Sequence, residues 1–291
     1  MKQIASALAL TSLLASCYRD APPSRFPSAR AALDRMQESV SCSRGLSGEA
    51  KIDYFGAEGR VRGSVLYLVE APDHVRLDLF SPFGVTLSTL TANGSRFTLS
   101  DLRKRRFLYG PANSCNLKRF TRVPLPPQAF AQLLRGEAPI LKHSAPAASI
   151  SWEKGSYAIR IASAHQTEEL IRLVPVDADY GLDWSKQRLH VLEVSVSQAG
   201  VPIWQVELAD HAPVKMSKPQ LDPEGLEPPV PPSGPECRAA APRRLRFVVG
   251  DAESEVVLVS HEMAHNPPLS LGVFEQQQPP GFAAEASLCR D

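Results

Sequence analysis

The sequence has no apolar run long enough to span a bilayer. Its longest, Ile4 to Ala15, covers about 12 residues, whereas a membrane-crossing helix needs roughly 20. It has little net charge: 32 basic against 31 acidic side chains leave +1, so the charge balance gives no reason to expect a nucleic-acid partner. Glycine is outnumbered by proline, 17 to 26, a balance that argues against a helical bundle because proline breaks helices. The cysteines never stand at the short spacings of zinc sites. Gly-x-Ser-x-Gly elbows, phosphate loops and dinucleotide fingerprints are missing too, so no cofactor, metal or catalytic group is expected and the chain does not read as an enzyme.

What is present begins at the N-terminus. Lys2 followed by the short apolar run has the proportions of a secretory signal, expected over residues 1–16. The run ends in Leu14-Ala15-Ser16-Cys17, which resembles the lipobox of bacterial lipoproteins. Cys17 is therefore the expected lipid-attachment residue and the first of the mature chain. Two or three acyl chains suffice for stable anchoring. Tyr18 stands where an Asp would signal inner-membrane retention, so the expected location is the outer membrane, lipid-anchored and facing the periplasm. Four cysteines remain, Cys42, Cys115, Cys237 and Cys289. An even number in an oxidising compartment predicts two disulfides, with three connectivities open. Cys42–Cys115 with Cys237–Cys289 is the favoured pairing, since the second bond would staple the C-terminus behind a proline-rich segment.

Residues 17–27 read as a lipidated tether, and 28–291 as a single domain. Ser28 is placed to cap a helix reaching about Val40, with Ala32, Leu33, Met36 and Val40 at helical spacing. From residue 46 the period changes to two. Short alternating runs separated by Gly, Pro, Asn and Asp predict an antiparallel meander. A short helix, Gln128 to Arg135, follows Pro124-Leu125-Pro126-Pro127 and stops at Gly136. Strands resume from 148 to 210. The proline-rich stretch 213–242 is expected to be an irregular connection, with two more strands after it. The fold class is mainly β (α+β).

The run Val75-Arg76-Leu77-Asp78-Leu79-Phe80-Ser81-Pro82-Phe83-Gly84 is followed by Asn93-Gly94-Ser95-Arg96-Phe97-Thr98-Leu99. Val123-Pro124-Leu125-Pro126, Leu133-Leu134 and Gly136-Glu137-Ala138-Pro139 come next. This ordered series resembles the LolB-like branch of the LolA/LolB lipoprotein-carrier superfamily over roughly 28–210, and more faintly over 243–282. The proline-rich stretch and the four cysteines depart from the simplest members. The resemblance implies an incompletely closed antiparallel β-barrel of about 11–12 strands with an N-terminal helix and a short helical lid. It also implies a lipid or lipoprotein acyl chain held in the half-barrel, for lipoprotein localisation or lipid transfer at the outer membrane. Phe130, Leu133 and Leu134 are then the lid and cavity candidates. Phe83 would contact the membrane, as an exposed aromatic between Pro82 and Gly84 is suited to do. The alternative is a non-catalytic structural or interaction lipoprotein with the same fold and no cargo.

Three further constellations invite chemical readings. His261-Glu262-Met263-Ala264-His265 satisfies the HExxH zinc-protease pattern, which needs a helix to bring both imidazoles to one metal. It continues a β-type run and meets Asn266-Pro267-Pro268, so a strand is expected, with the two rings about 13 Å apart. Glu168-Glu169 and Asp177/Asp179 read as solvated strand-end carboxylates. Arg103-Lys104-Arg105-Arg106, with Lys118, Arg119 and Arg122, is the densest charge feature. It reads as the wet face of a hairpin, or as a contact for anionic head groups near the barrel mouth.

Overall fold

A computed structural model describes residues 18–57, 59–81, 83–250, 254–287 and 289. The expected signal segment, residues 1–16, and the expected lipid-attachment residue Cys17 lie outside the described residues. Ser28 caps α1 (Ala29–Val40), its hydroxyl accepting the Ala31 N–H at 3.2 Å. One meander then runs through β1 (Gly45–Gly56), β2 (Gly59–Glu70), β3 (His74–Phe80), β4 (Thr86–Asn93), β5 (Arg96–Asp101) and β6 (Arg106–Pro111). Two helices follow, α2 (Ser114–Thr121) and α3 (Pro127–Leu134). A second meander comprises β7 (Ala148–Glu153), β8 (Ser156–Ala162), β9 (Thr167–Pro175), β10 (Leu189–Gln198) and β11 (Val201–Pro213). After β12 (Lys215–Met216) come β13 (Ala240–Val249), β14 (Ser254–His265) and β15 (Ala283–Ala286).

These strands form one 15-stranded sheet in the order β15-β6-β5-β4-β3-β2-β1-β14-β13-β11-β10-β9-β8-β7, with β12 set beside β14. The two end strands, β15 and β7, do not pair, so the barrel stays open. The pairing of β1 with β14 joins the two meanders. The sequence expectation of about 11–12 strands falls short of the 13 antiparallel strands among the described residues and of two short parallel additions, β12 on β14 and β15 on β6. Neither has an alternating pattern long enough to announce itself. β15 covers the β6 edge, which would otherwise present unpaired backbone groups.

The concave side is packed. Phe130 of α3 stacks on Phe247 of β13, with centroids 6.4 Å apart, and Leu133 and Leu134 are fully buried. Gly136 ends α3 at φ +82°, a left-handed position suited to glycine. A side chain there would also press on Pro242. Just before it, Arg135 donates to the Ser43 carbonyl at 2.5 Å and to Glu137 at 2.9 Å, all within the interior. α3 is thereby fastened to the start of β1.

The disulfides correct the expected pairing. Cys42 bonds Cys237, and Cys115 bonds Cys289. The start of β1 meets the end of β14 through mutual bonds between Gly45 and Asn266. The end of the proline-rich connection reaches the same corner, where Asn266 donates to the carbonyls of Cys42 and Pro235. The C-terminal strap meanwhile returns along β6 and arrives at α2. Gln276 in this strap bonds Thr91, Thr98 and Ser100 on the outer face of the sheet.

Residues 18–27 are docked rather than free. Phe26 is buried edge-on against Tyr157 at 5.2 Å. Arg19 pairs with Asp177 at 2.5 Å and stacks over Tyr180. The acidic pairs also differ from expectation. Asp179 is buried and held by Arg188, and Glu169 is only 2% exposed, while Glu168 stays in solvent.

One oxygen of Glu169 accepts the Leu141 N–H at 2.9 Å, and the other has no partner among the described residues. Burial pushes its carboxyl from an ordinary 4.5 up to about 7, against the opposing Leu141 bond. The folded state therefore holds this proton more tightly than the unfolded chain does. That contribution is complete below about pH 4 and is lost as pH rises through 7. Glu169→Gln should flatten the stability profile between pH 4.5 and 7 and stabilise the protein at pH 8 by up to about 3 kcal/mol. Urea denaturation at both pH values checks this, and an unchanged slope would contradict it.

Candidate functional site

Successive turns of an antiparallel meander alternate between the two ends of its strands, so the β1–β2, β3–β4 and β5–β6 turns share one rim. At the β3–β4 tip, the Ser81 hydroxyl accepts the N–H groups of Phe83 and Val85, at 3.3 and 3.2 Å. Gly84 supplies the positive φ of +77° that closes the turn. The Phe83 ring is 93% exposed. Val85, Phe55, Val61 and Leu102 are also exposed at or beside these turns. The docked leader touches the β7–β8 turn and the 177–184 connection, at the opposite end of the strands.

Below the rim lies a cleft of about 460 Å³ between β1–β5 and α2. Ile52, Tyr54, Val61, Leu79, Leu87 and Leu99 form its sheet wall, and Phe120 of α2 forms the other side. Its mouth carries Arg103, Lys104, Arg119 and Arg122, with Asp101 and Ser88. The volume falls within the range of roughly 300–1,000 Å³ typical of small-molecule pockets, which are mostly apolar with a few placed polar groups.

The sequence candidates are distributed differently. Beneath α3, beside Phe130, lies a void of about 20 Å³, which Ile52 and Phe120 separate from the larger cleft. That is room for about one water. Leu133 and Leu134 border neither space. Open volume is therefore displaced outward, under α2 rather than α3. Sequence reading missed α2 and so missed Phe120. The available signal was Asn113, whose side chain caps the helix by accepting the Asn116 N–H at 3.0 Å, followed by Leu117 and Phe120 one turn apart. The basic cluster likewise divides between the β5–β6 hairpin and α2 instead of lying on one hairpin face. The cysteines are structural: one disulfide pins α2, the other the corner of β1.

The HExxH pattern lies on β14 as a strand. His261 is the extra residue of a bulge opposite Glu49 and Ala50. His265 is buried, with Nδ1 against the Ser43 hydroxyl and Nε2 against the Ala239 carbonyl, both at 2.9 Å. Burial lowers its pKa. Both ring nitrogens are thus occupied within the fold, and Glu262 points to solvent beside Lys215. The arrangement is a packing corner, with no geometry for a shared metal.

No family model matches the sequence, and no curated protein matches it. Solved structures do resemble it in shape. A LolA superfamily protein from Nitrosomonas europaea superposes over 86% of this chain and 99% of its own, with TM-score 0.51 and 8% identity. A DUF1329 family protein from Desulfovibrio piger covers 84% and 96%, with TM-score 0.53 and 10% identity. The chain has the LolA-superfamily fold. Identity this low establishes shape alone, so the cleft's chemistry has to be argued from its own residues. No described helix is long and apolar enough to cross a membrane.

Proposed function

We propose that this chain is a lipid-anchored lipoprotein of the bacterial envelope that holds an acyl chain of a lipid or lipoprotein in the cleft beneath α2. Cys17 attaches it to the outer membrane facing the periplasm, and its role lies in lipoprotein localisation or lipid transfer. The observation that carries this reading is the cleft of about 460 Å³ with an apolar wall built from five strands. Such a surface is costly to leave in water and is suited to a hydrocarbon chain. Phe130, Leu133 and Leu134 support the cleft from behind by fixing the sheet and α3, rather than by touching cargo.

Titrating an environment-sensitive fluorescent fatty acyl probe into the full chain carrying Cys17→Ser tests the reading. Saturable one-to-one binding is expected, and its absence would contradict it. The cargo-free structural reading draws on the filled space under α3 and predicts no saturable binding.

Phe83 is the proposed membrane-contact residue. With residues 18–26 docked at the far end of the strands, Phe83 meets a lipid surface or acylated cargo approaching from the side away from the anchor. Burying a phenylalanine ring stabilises an interface by about 2 kcal/mol, so Phe83→Ala should weaken liposome association by roughly tenfold or more. Flotation of the Cys17→Ser chain with liposomes measures this, and thermal stability should not change. Equal flotation of both variants would remove Phe83 from the contact.

A further inference from the structure

The cleft mouth gathers cations without carboxylate partners among the described residues, at the edge of an apolar wall. The whole chain is nearly neutral at +1, and several of its arginines are paired with carboxylates. Arg60 and Arg62 share Asp53, Arg160 pairs with Glu153, and Arg246 pairs with Glu255. Arg103, Lys104 and Arg119 make no ion pair with any described residue, and all three are exposed. Asp101 is the one carboxylate in the cleft lining, and it accepts the backbone N–H of Lys104 at 3.0 Å.

Two elements supply this charge independently. Arg103 and Lys104 sit on the β5–β6 turn, and Arg119 sits on the last turn of α2. A cation at a helix C-terminus also meets the negative end of the helix dipole, which gives Arg119 a local reason to be basic. The hairpin residues have no such reason. α2 is held against the sheet by the Cys115–Cys289 disulfide and by Asn116, which contacts Ser287 and the Pro111 carbonyl. The spacing of the two basic groups across the opening is therefore fixed by the fold.

We propose that the cleft selects amphiphiles with one acyl chain and an anionic head, either a carboxylate or a phosphate. The chain lies along Leu79, Leu87 and Phe120, and the head sits among Arg103, Lys104 and Arg119. About 460 Å³ is near the lower end of the small-molecule range, room for one chain rather than a bundle. Desolvated at the edge of an apolar wall, the head-group contacts gain strength over the same contacts in open water. The proposal rests on the reading that the cleft holds an acyl chain and adds what its other end must be.

The experiment compares chains of equal length on the full chain carrying Cys17→Ser: hexadecanoic acid, hexadecyl phosphate, hexadecanol and hexadecyltrimethylammonium, each displacing the fluorescent acyl probe. The two anions should bind roughly tenfold tighter than the alcohol, and the ammonium weakest of all, given several weak ion pairs acting together. The acid and the phosphate together distinguish a free fatty acid from a phospholipid-type head as the better ligand. The anion preference should shrink on raising salt from 0.05 to 0.5 M, since exposed charges are screened (an estimate from the Debye length, ~14 Å falling to ~4 Å). Lys104→Glu with Arg119→Glu should reverse the preference while the alcohol binds as before, and a melting curve confirms that the variant is folded. Equal binding of all four chains, with no salt dependence, would overturn the anionic head and leave the acyl cleft standing. Failure of every chain to displace the probe would overturn both.

Discussion

Ser88→Trp should abolish acyl-probe binding without unfolding the protein. Ser88 sits on β4 at the cleft, registered between Leu79 of β3 and Asp101 of β5. It is half-buried, and its side chain makes no hydrogen bond with a described residue that the substitution would break. Tryptophan suits a pleated, half-buried strand position, and its ring would fill the space that Leu79, Leu87 and Phe120 leave open. Loss of a chain's contact area should weaken binding by at least tenfold, because each buried methylene contributes about 0.8 kcal/mol. The melting temperature should stay within a few degrees. A probe affinity equal to that of the unaltered protein would place binding elsewhere.

Arg135→Ala should be the most damaging change outside the cysteines. The guanidinium is 7% exposed and bridges α3 to β1, with Glu137 as its carboxylate partner and the Ser43 carbonyl as a second acceptor. Burial lowers its pKa, and the nearby Glu137 charge opposes that shift. Truncation leaves Glu137 buried and uncompensated, a loss of about 3–5 kcal/mol for pairs of this kind. In a domain of this size that corresponds to a fall in Tm of roughly 10 °C. Removing both charges as Arg135→Met with Glu137→Leu should cost far less, since matched apolar replacements of buried pairs are often neutral. Calorimetry on both variants decides it: equal losses would show that the pair's charge is not what holds α3.

Much of the scaffold was legible because its periodicities are local. Ser28 with Ala32, Leu33, Met36 and Val40 announces α1, and alternation from Ile52 through Leu99 announces the first meander. The turn at Ser81–Gly84 was legible too, since Pro and Gly flank an aromatic. What escaped depends on long-range return of the chain. β15 has four residues and gains its strand character only from β6, so nothing local marks it. That return decides the Cys115–Cys289 bond, where the sequence reading had stapled the C-terminus to Cys237 instead. α2 is eight residues with few strong helix formers, and its basic side chains looked like a hairpin surface. Missing it left Phe120 and the cleft beneath α2 out of the reading. Glu169 looked like a solvated strand end, and nothing local announces its burial or its bond to the distant Leu141 N–H.

Photo-crosslinking with a diazirine-bearing fatty acid, read by peptide mass spectrometry on the Cys17→Ser chain, tests the acyl cleft most directly. The account predicts stoichiometric labelling on peptides carrying Leu79, Leu87 and Phe120, competed away by unlabelled fatty acid and lost in Ser88→Trp. Labelling confined to α3 and its neighbours, or no labelling above that of a denatured control, would contradict it.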